Sequence, residues 1–192
     1  MSTAGPNAPG TMANDTAVGF HVWGTPNNAK VSDNTYATIF ASSTGDSQYL
    51  KATNFGFAIP SGATINGVSV AVERDRNVSL GNSIAEKSIK LVKGGTVSGN
   101  DKSTGAAWPN TEATITYGGA ADLWGLTLTD TDINASTFGV VVQAAFTVIA
   151  PKGICNAYVD LITITIDYTT GGGGGGLSIP VASQSYRQRR IQ

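Results

Sequence analysis

The stretch Thr64-Ile65-Asn66-Gly67-Val68-Ser69-Val70-Ala71-Val72-Glu73-Arg74 alternates with a period of two: Val68, Val70 and Val72 point one way, Ser69, Ala71 and Glu73 the other. A chain with that period is a β-strand with one apolar face, because successive side chains leave opposite sides of the pleat. The same pattern recurs along the sequence. Ile89 and Leu91 alternate with Ser88 and Lys90, and Ile115 and Tyr117 with Thr114 and Thr116. Phe138, Val140, Val142, Ala144 and Phe146 form an apolar row, and Ile162, Ile164 and Ile166 oppose Thr163, Thr165 and Asp167. Tyr36 to Ala41 and Tyr49 to Ile59 complete the set, with Phe55, Phe57 and Ile59 on one face. Pro60-Ser61-Gly62, Gly94-Gly95 and Gly118-Gly119 break the strands. Seven or eight such strands joined by turns predict an all-β, antiparallel β-sandwich over residues 21–170, each strand with one face on the core.

Helical signals are weak. Ala120 to Trp124 and Thr129 to Ser136 are the candidates, with Asp130 read as the cap of the second. Residues 1–20, with Pro6 and Pro9, read as an extended N-terminal arm rather than a regular element. They hold no basic region followed by an apolar run, so they are not read as a secretory signal, and no stretch is apolar enough to span a membrane. Production in a cytoplasm is expected.

Beyond Thr170 the composition changes. Six glycines, 171–176, have too much backbone entropy to lose and nothing to pack, so they predict a flexible linker. Residues 177–192 follow as a basic tail. Leu177, Ile179, Val181, Tyr186 and Ile191 supply apolar anchors, and Arg187, Arg189 and Arg190 supply charge without any acid. A purely solubilising tail has no use for those apolar residues, so the segment reads as a tethered peptide that docks. The net charge of −1 hides an asymmetry: residues 1–176 carry nine basic and thirteen acidic side chains, about −4.

Charged residues make up 13% of the chain, about half of the usual quarter. The surface is therefore largely Thr, Ser, Asn and Gly, which suits a protein packed against neighbours. The overall balance gives no nucleic-acid footprint. One cysteine, Cys155, excludes an intrachain disulfide and reads as a small buried hydrophobe.

One histidine, His21, closes off multi-histidine metal sites and most Ser-His or Cys-His schemes. Asp130-Thr131-Asp132-Ile133-Asn134 has a spacing that offers oxygens to calcium. However, Ala135 and Val141 stand where a helix-loop-helix site needs Gly and an acid, so a capped turn is the better reading. Asp160 shares the Ile162 face and is either a buried, hydrogen-bonded carboxylate or a strand-end residue. No catalytic residue, cofactor or metal site is assigned. Trp108 and Trp124 flank strands and suit the rim or end of a sandwich core; stacking on a sugar is the alternative for both.

The segment Phe55-Gly56-Phe57-Ala58-Ile59-Pro60-Ser61-Gly62-Ala63-Thr64-Ile65-Asn66-Gly67-Val68 resembles one that recurs in virion proteins of tailed bacteriophages and in prophage-encoded β-sandwich domains. Trp23 to Ala29 with Asp33 to Ala37, Tyr117-Gly118-Gly119 with Asp122-Leu123-Trp124-Gly125, and Asp132-Ile133-Asn134 with Phe138-Gly139-Val140 are similar too. Together they cover most of residues 20–168. The resemblance implies a jelly-roll-like sandwich, often a homotrimer, that sits on a virion and carries no catalytic residues. Expected partners are other virion proteins, with nucleic acid disfavoured. The leading expectation is a capsid decoration or cement protein anchored through its terminal arms. A carbohydrate- or receptor-binding module of a tail fibre or neck appendage is the alternative.

Overall fold

Val68, Val70 and Val72 are fully buried in a computed structural model that describes residues 1–79, 81–149 and 153–170. Removing each from water is worth about 1.5–3 kcal/mol. Among the described residues there are eleven strands: β1 (Ser2–Asn7), β2 (Thr11–Asp15), β3 (Ala37–Phe40), β4 (Gly45–Asp46), β5 (Tyr49–Thr53), β6 (Thr64–Val78), β7 (Ser83–Lys93), β8 (Thr96–Ser98), β9 (Ala113–Gly119), β10 (Gly139–Thr147) and β11 (Cys155–Thr169). They form two antiparallel sheets. The first runs β1-β11-β6-β9 with β3 also on β11; the second runs β2-β5-β10-β7-β8 with β4 also on β10. The inward rows of both sheets meet in one apolar cluster, which makes the chain an all-β sandwich.

The N-terminal twenty residues correct the expectation of an arm outside the regular elements. Ser2 to Asn7 pair with β11, where Ala4 faces Ile166, and Thr11 to Asp15 pair with β5. The segment thus supplies an edge strand to each sheet. Edge positions tolerate small residues and proline because one side of the strand owes the ladder no donors.

Two other boundaries differ from expectation. The strand read as Tyr49 to Ile59 stops at Thr53, where Asn54 turns into the left-handed region at φ 60°. Phe55, Phe57 and Ile59 are nevertheless buried, so their alternation reports burial along an irregular segment. Ala120 to Trp124 are turns rather than helix. The short helix α1 (Asp130–Asn134) is capped by Thr129, not Asp130: Thr129 Oγ1 accepts from the Asp132 N–H, and Asp132 Oδ2 accepts from the Thr129 N–H. In β10 the expected one-sided burial gives way to burial on both faces, since Val141 and Gln143 are covered as well as Val140 and Val142. The linker, 171–176, and the tail, 177–192, including Leu177, Ile179, Val181, Tyr186, Arg187, Arg189, Arg190 and Ile191, lie outside the described residues.

Candidate functional site

The outer face of the first sheet gathers side chains that the core does not use. Glu73 and Asp75 alternate with inward-facing Val72 and Arg74 along β6, and register places Asp75 opposite Tyr158 on β11. The ladder shifts between Val159 and Leu161, which marks an irregularity at Asp160. There the Asp160 carboxylate is fully buried; it accepts from the Asn34 N–H at 3.0 Å and from the Asp33 N–H at 3.5 Å. Glu112, just before β9, completes the group. One carboxylate oxygen from each of Glu73, Glu112 and Asp160 lies within 4.8 Å of the others.

Three aromatic rings border these acids. Tyr36 and Tyr158 meet edge to face at 5.4 Å between centroids, and Phe40 reaches Tyr158 at 6.5 Å. Phe40 is 69% exposed, although it sits within a strand. Burial pushes the Tyr36 hydroxyl up to about 12, and its hydrogen bond to Glu112 and the nearby acids add to the shift. Burial also raises the Asp75 carboxyl, reinforced by the negative charges of Glu112 and Asp160. Asp75 Oδ1 is buried without a hydrogen-bond partner. Among the described residues, none of Glu73, Asp75, Glu112 and Asp160 forms a salt bridge. Such a face attracts positive charge. Glu73, Glu112 and Asp160 are also the oxygens that could hold a metal ion.

A second charged group lies between the sheets. Arg74 points inward from β6 and Glu86 inward from β7, and Arg74 Nη2 donates to Glu86 Oε1 at 2.6 Å. Tyr117 donates its hydroxyl to the same oxygen, while the N–H and hydroxyl of Thr104 donate to Glu86 Oε2. Burial alone would raise the Glu86 carboxyl; these donors outweigh it and hold the group below the usual carboxylate range. The Arg74 guanidinium also sits 4.6 Å from the Trp108 ring centre and 5.7 Å from that of Tyr117. A cleft of about 400 Å³ opens beside this pair, bounded by Lys102, Pro109 and Ile115. With four donors on its oxygens, Glu86 acts as a structural anchor rather than a free base.

The remaining sequence candidates have structural partners. Trp108 and Trp124 are 1% and 0% exposed, in keeping with the expected packing against the core, and neither ring is presented to a sugar, against the alternative of a glycan platform. Trp108 stacks on Trp23 at 6.2 Å, and Trp124 Nε1 donates to the Val68 carbonyl at 2.9 Å. His21 Nε2 lies 3.0 Å from the Ser43 carbonyl. Asp132 pairs with Lys93, and the Asn134 amide bonds both the N–H and the carbonyl of Ile59, so the Asp130-to-Asn134 spacing serves packing. Cys155 is buried as expected, and Asp160 is the buried, hydrogen-bonded carboxylate of the two readings left open. Sequence reading missed Tyr36, Phe40, Glu73, Asp75, Glu112 and Tyr158 as a group. Only the outward phase of Glu73 was visible, because the register that joins β3, β6 and β11 is long-range.

No protein-family model matches the chain, and no curated protein matches it in sequence. Among solved structures, one described as "CBM4 structure and function" aligns with 72% of this chain and 87% of its own length, at 10% identity and a TM-score of 0.40.

Proposed function

We propose that this chain is a non-enzymatic structural protein of a bacteriophage particle, a homotrimeric decoration protein displayed on the capsid exterior and attached through its C-terminal segment. One observation carries the attachment. Both N-terminal strands are built into the sandwich, so the arm expected at that end is occupied, which favours residues 171–192 as the anchor. The composition there, apolar side chains followed by Arg187, Arg189 and Arg190, suits a peptide that adds to a neighbour's groove and meets acidic surface. The linker lets a displayed body and a fixed anchor keep independent orientations.

Support for the setting comes from the resembling segments, which map onto the sandwich itself: Phe55 to Val68 leads into β6, and Asp132 to Val140 runs from α1 into β10. The non-enzymatic reading draws on the use already made of two reactive groups, Glu86 and Cys155. Glu86 is saturated by donors, and Cys155 is enclosed in the core. A tail-fibre or neck module that stacks sugars on Trp108 or Trp124 finds no support, because those rings are interior.

The test is particle incorporation of the chain truncated after Thr170. Incorporation is expected to fall to background while the truncated protein stays folded by circular dichroism. Full retention on particles would contradict the anchoring role.

A further inference from the structure

The aromatic and acidic face of the first sheet has no use in that proposal. Four carboxylates, Glu73, Asp75, Glu112 and Asp160, stand there without a salt bridge among the described residues. Beside them Phe40 keeps an apolar ring in water within a patch shared with Tyr36 and Tyr158. A partner that satisfies both halves must bring positive charge and stacking or apolar surface together. Arginine does so in one side chain, because its planar guanidinium pairs with carboxylates and stacks on aromatic rings.

The chain itself holds such a partner. Arg187, Arg189 and Arg190 lie within four residues and are flanked by Tyr186 and Ile191, with no acid in the segment. Its charge complements the excess of acids in residues 1–176. We infer that this face is the docking surface for the chain's own C-terminal segment, which folds back so that Arg187, Arg189 and Arg190 meet the accessible carboxylates of Glu73 and Glu112 and Tyr186 and Ile191 meet the exposed Phe40 ring.

The span is feasible within one molecule. Asp160 and Thr169 belong to the same strand, and at about 3.3 Å per residue they lie about 30 Å apart. From Thr170 to Arg187 the chain extends to at most about 60 Å. A short tether holds the segment at an effective concentration of about a millimolar, so contacts too weak for two separate molecules suffice within one. In the free protein the tail then covers its own body, and assembly exchanges this contact for one with the particle. The inference rests on the tail being the anchor only for that last step; the fold-back stands alone.

The experiment uses the ¹⁵N-labelled chain of residues 1–192 and the variant Arg187→Glu/Arg189→Glu/Arg190→Glu, whose fold is checked by circular dichroism. The amide signals of Tyr36, Phe40, Glu73, Asp75 and Tyr158 are expected to differ between the two proteins while those of β10 coincide. The difference should survive tenfold dilution and vanish in about 1 M salt, where the Debye length is about 3 Å. Glu73→Gln/Glu112→Gln in the otherwise native chain should reproduce the salt effect on the tail signals. Unchanged face signals would overturn the inference. So would changes that disappear on dilution, because these would mean binding between copies. No particle is involved, so this result and the incorporation result fail separately.

Discussion

Arg74 Nη2 lies 2.6 Å from Glu86 Oε1 in the interior of the sandwich, and both side chains are only 2% exposed. Two charges there replace what the neighbouring rows fill with valine and isoleucine. Removing one partner strands the other without water. Glu86→Leu or Arg74→Met alone is therefore expected to cost about 3–5 kcal/mol, whereas Arg74→Met/Glu86→Leu together should recover part of that loss, because Tyr117 and Thr104 still lose their acceptor. Urea unfolding of the three variants checks it. A double variant as unstable as the sum of the singles would show that the pair does not act as a unit.

The same pair and Asp75 give the pH dependence opposite signs. Folding lowers the Glu86 pKa, so its contribution is present above the unfolded value of about 4.3 and is lost as pH falls through the folded value. Folding raises the Asp75 pKa, so its ionisation removes stability as pH climbs through the folded value. Asp75→Asn should thus raise the melting temperature at pH 7. The gain should shrink in acid, where wild-type Asp75 is already protonated. Thermal melts of both proteins at neutral and acidic pH decide the point.

Gly118 is held at φ 73°, and a Cβ there would come within 2.3 Å of the Val68 carbonyl and 2.5 Å of Trp124 Nε1. Those two atoms share the hydrogen bond that fixes Trp124 in the core. Gly118→Ala should cost at least about 2 kcal/mol through strain and the displaced indole. Intrinsic fluorescence should report a more solvated tryptophan environment in this variant.

Cys155 is 1% exposed, and burial pushes its thiol pKa up. It should therefore resist a thiol reagent in the native protein and react fully in denaturant. Rapid native-state labelling would place Cys155 outside a closed core.

The sandwich was legible wherever one apolar row alternated with polar residues, as at Val68, Val70 and Val72 or Ile162, Ile164 and Ile166. It was illegible where pairing is imposed by a distant partner. Ser2 to Asn7 have poor strand propensity and become β1 because β11 offers them an unfilled edge, Ser2 opposite Tyr168. Arg74 occupies the next inward position after Val72, where the strand read from sequence ended, although β6 runs on to Val78. Only the packing of β6 over β7 supplies the carboxylate that makes Arg74 tolerable. The candidate face was hidden for the same reason: Tyr36, Asp75, Glu112 and Tyr158 are dispersed in sequence and meet through register.

The central claim is that the sandwich is a displayed particle component held by its C-terminal segment. Density for a particle carrying this chain tests it most directly. The account predicts the two sheets as a trimeric body on the outside of the shell, with residues 177–192 continuing into contact with a neighbouring capsid subunit. A body whose attachment runs through the sandwich, with the tail contacting no particle protein, would contradict it.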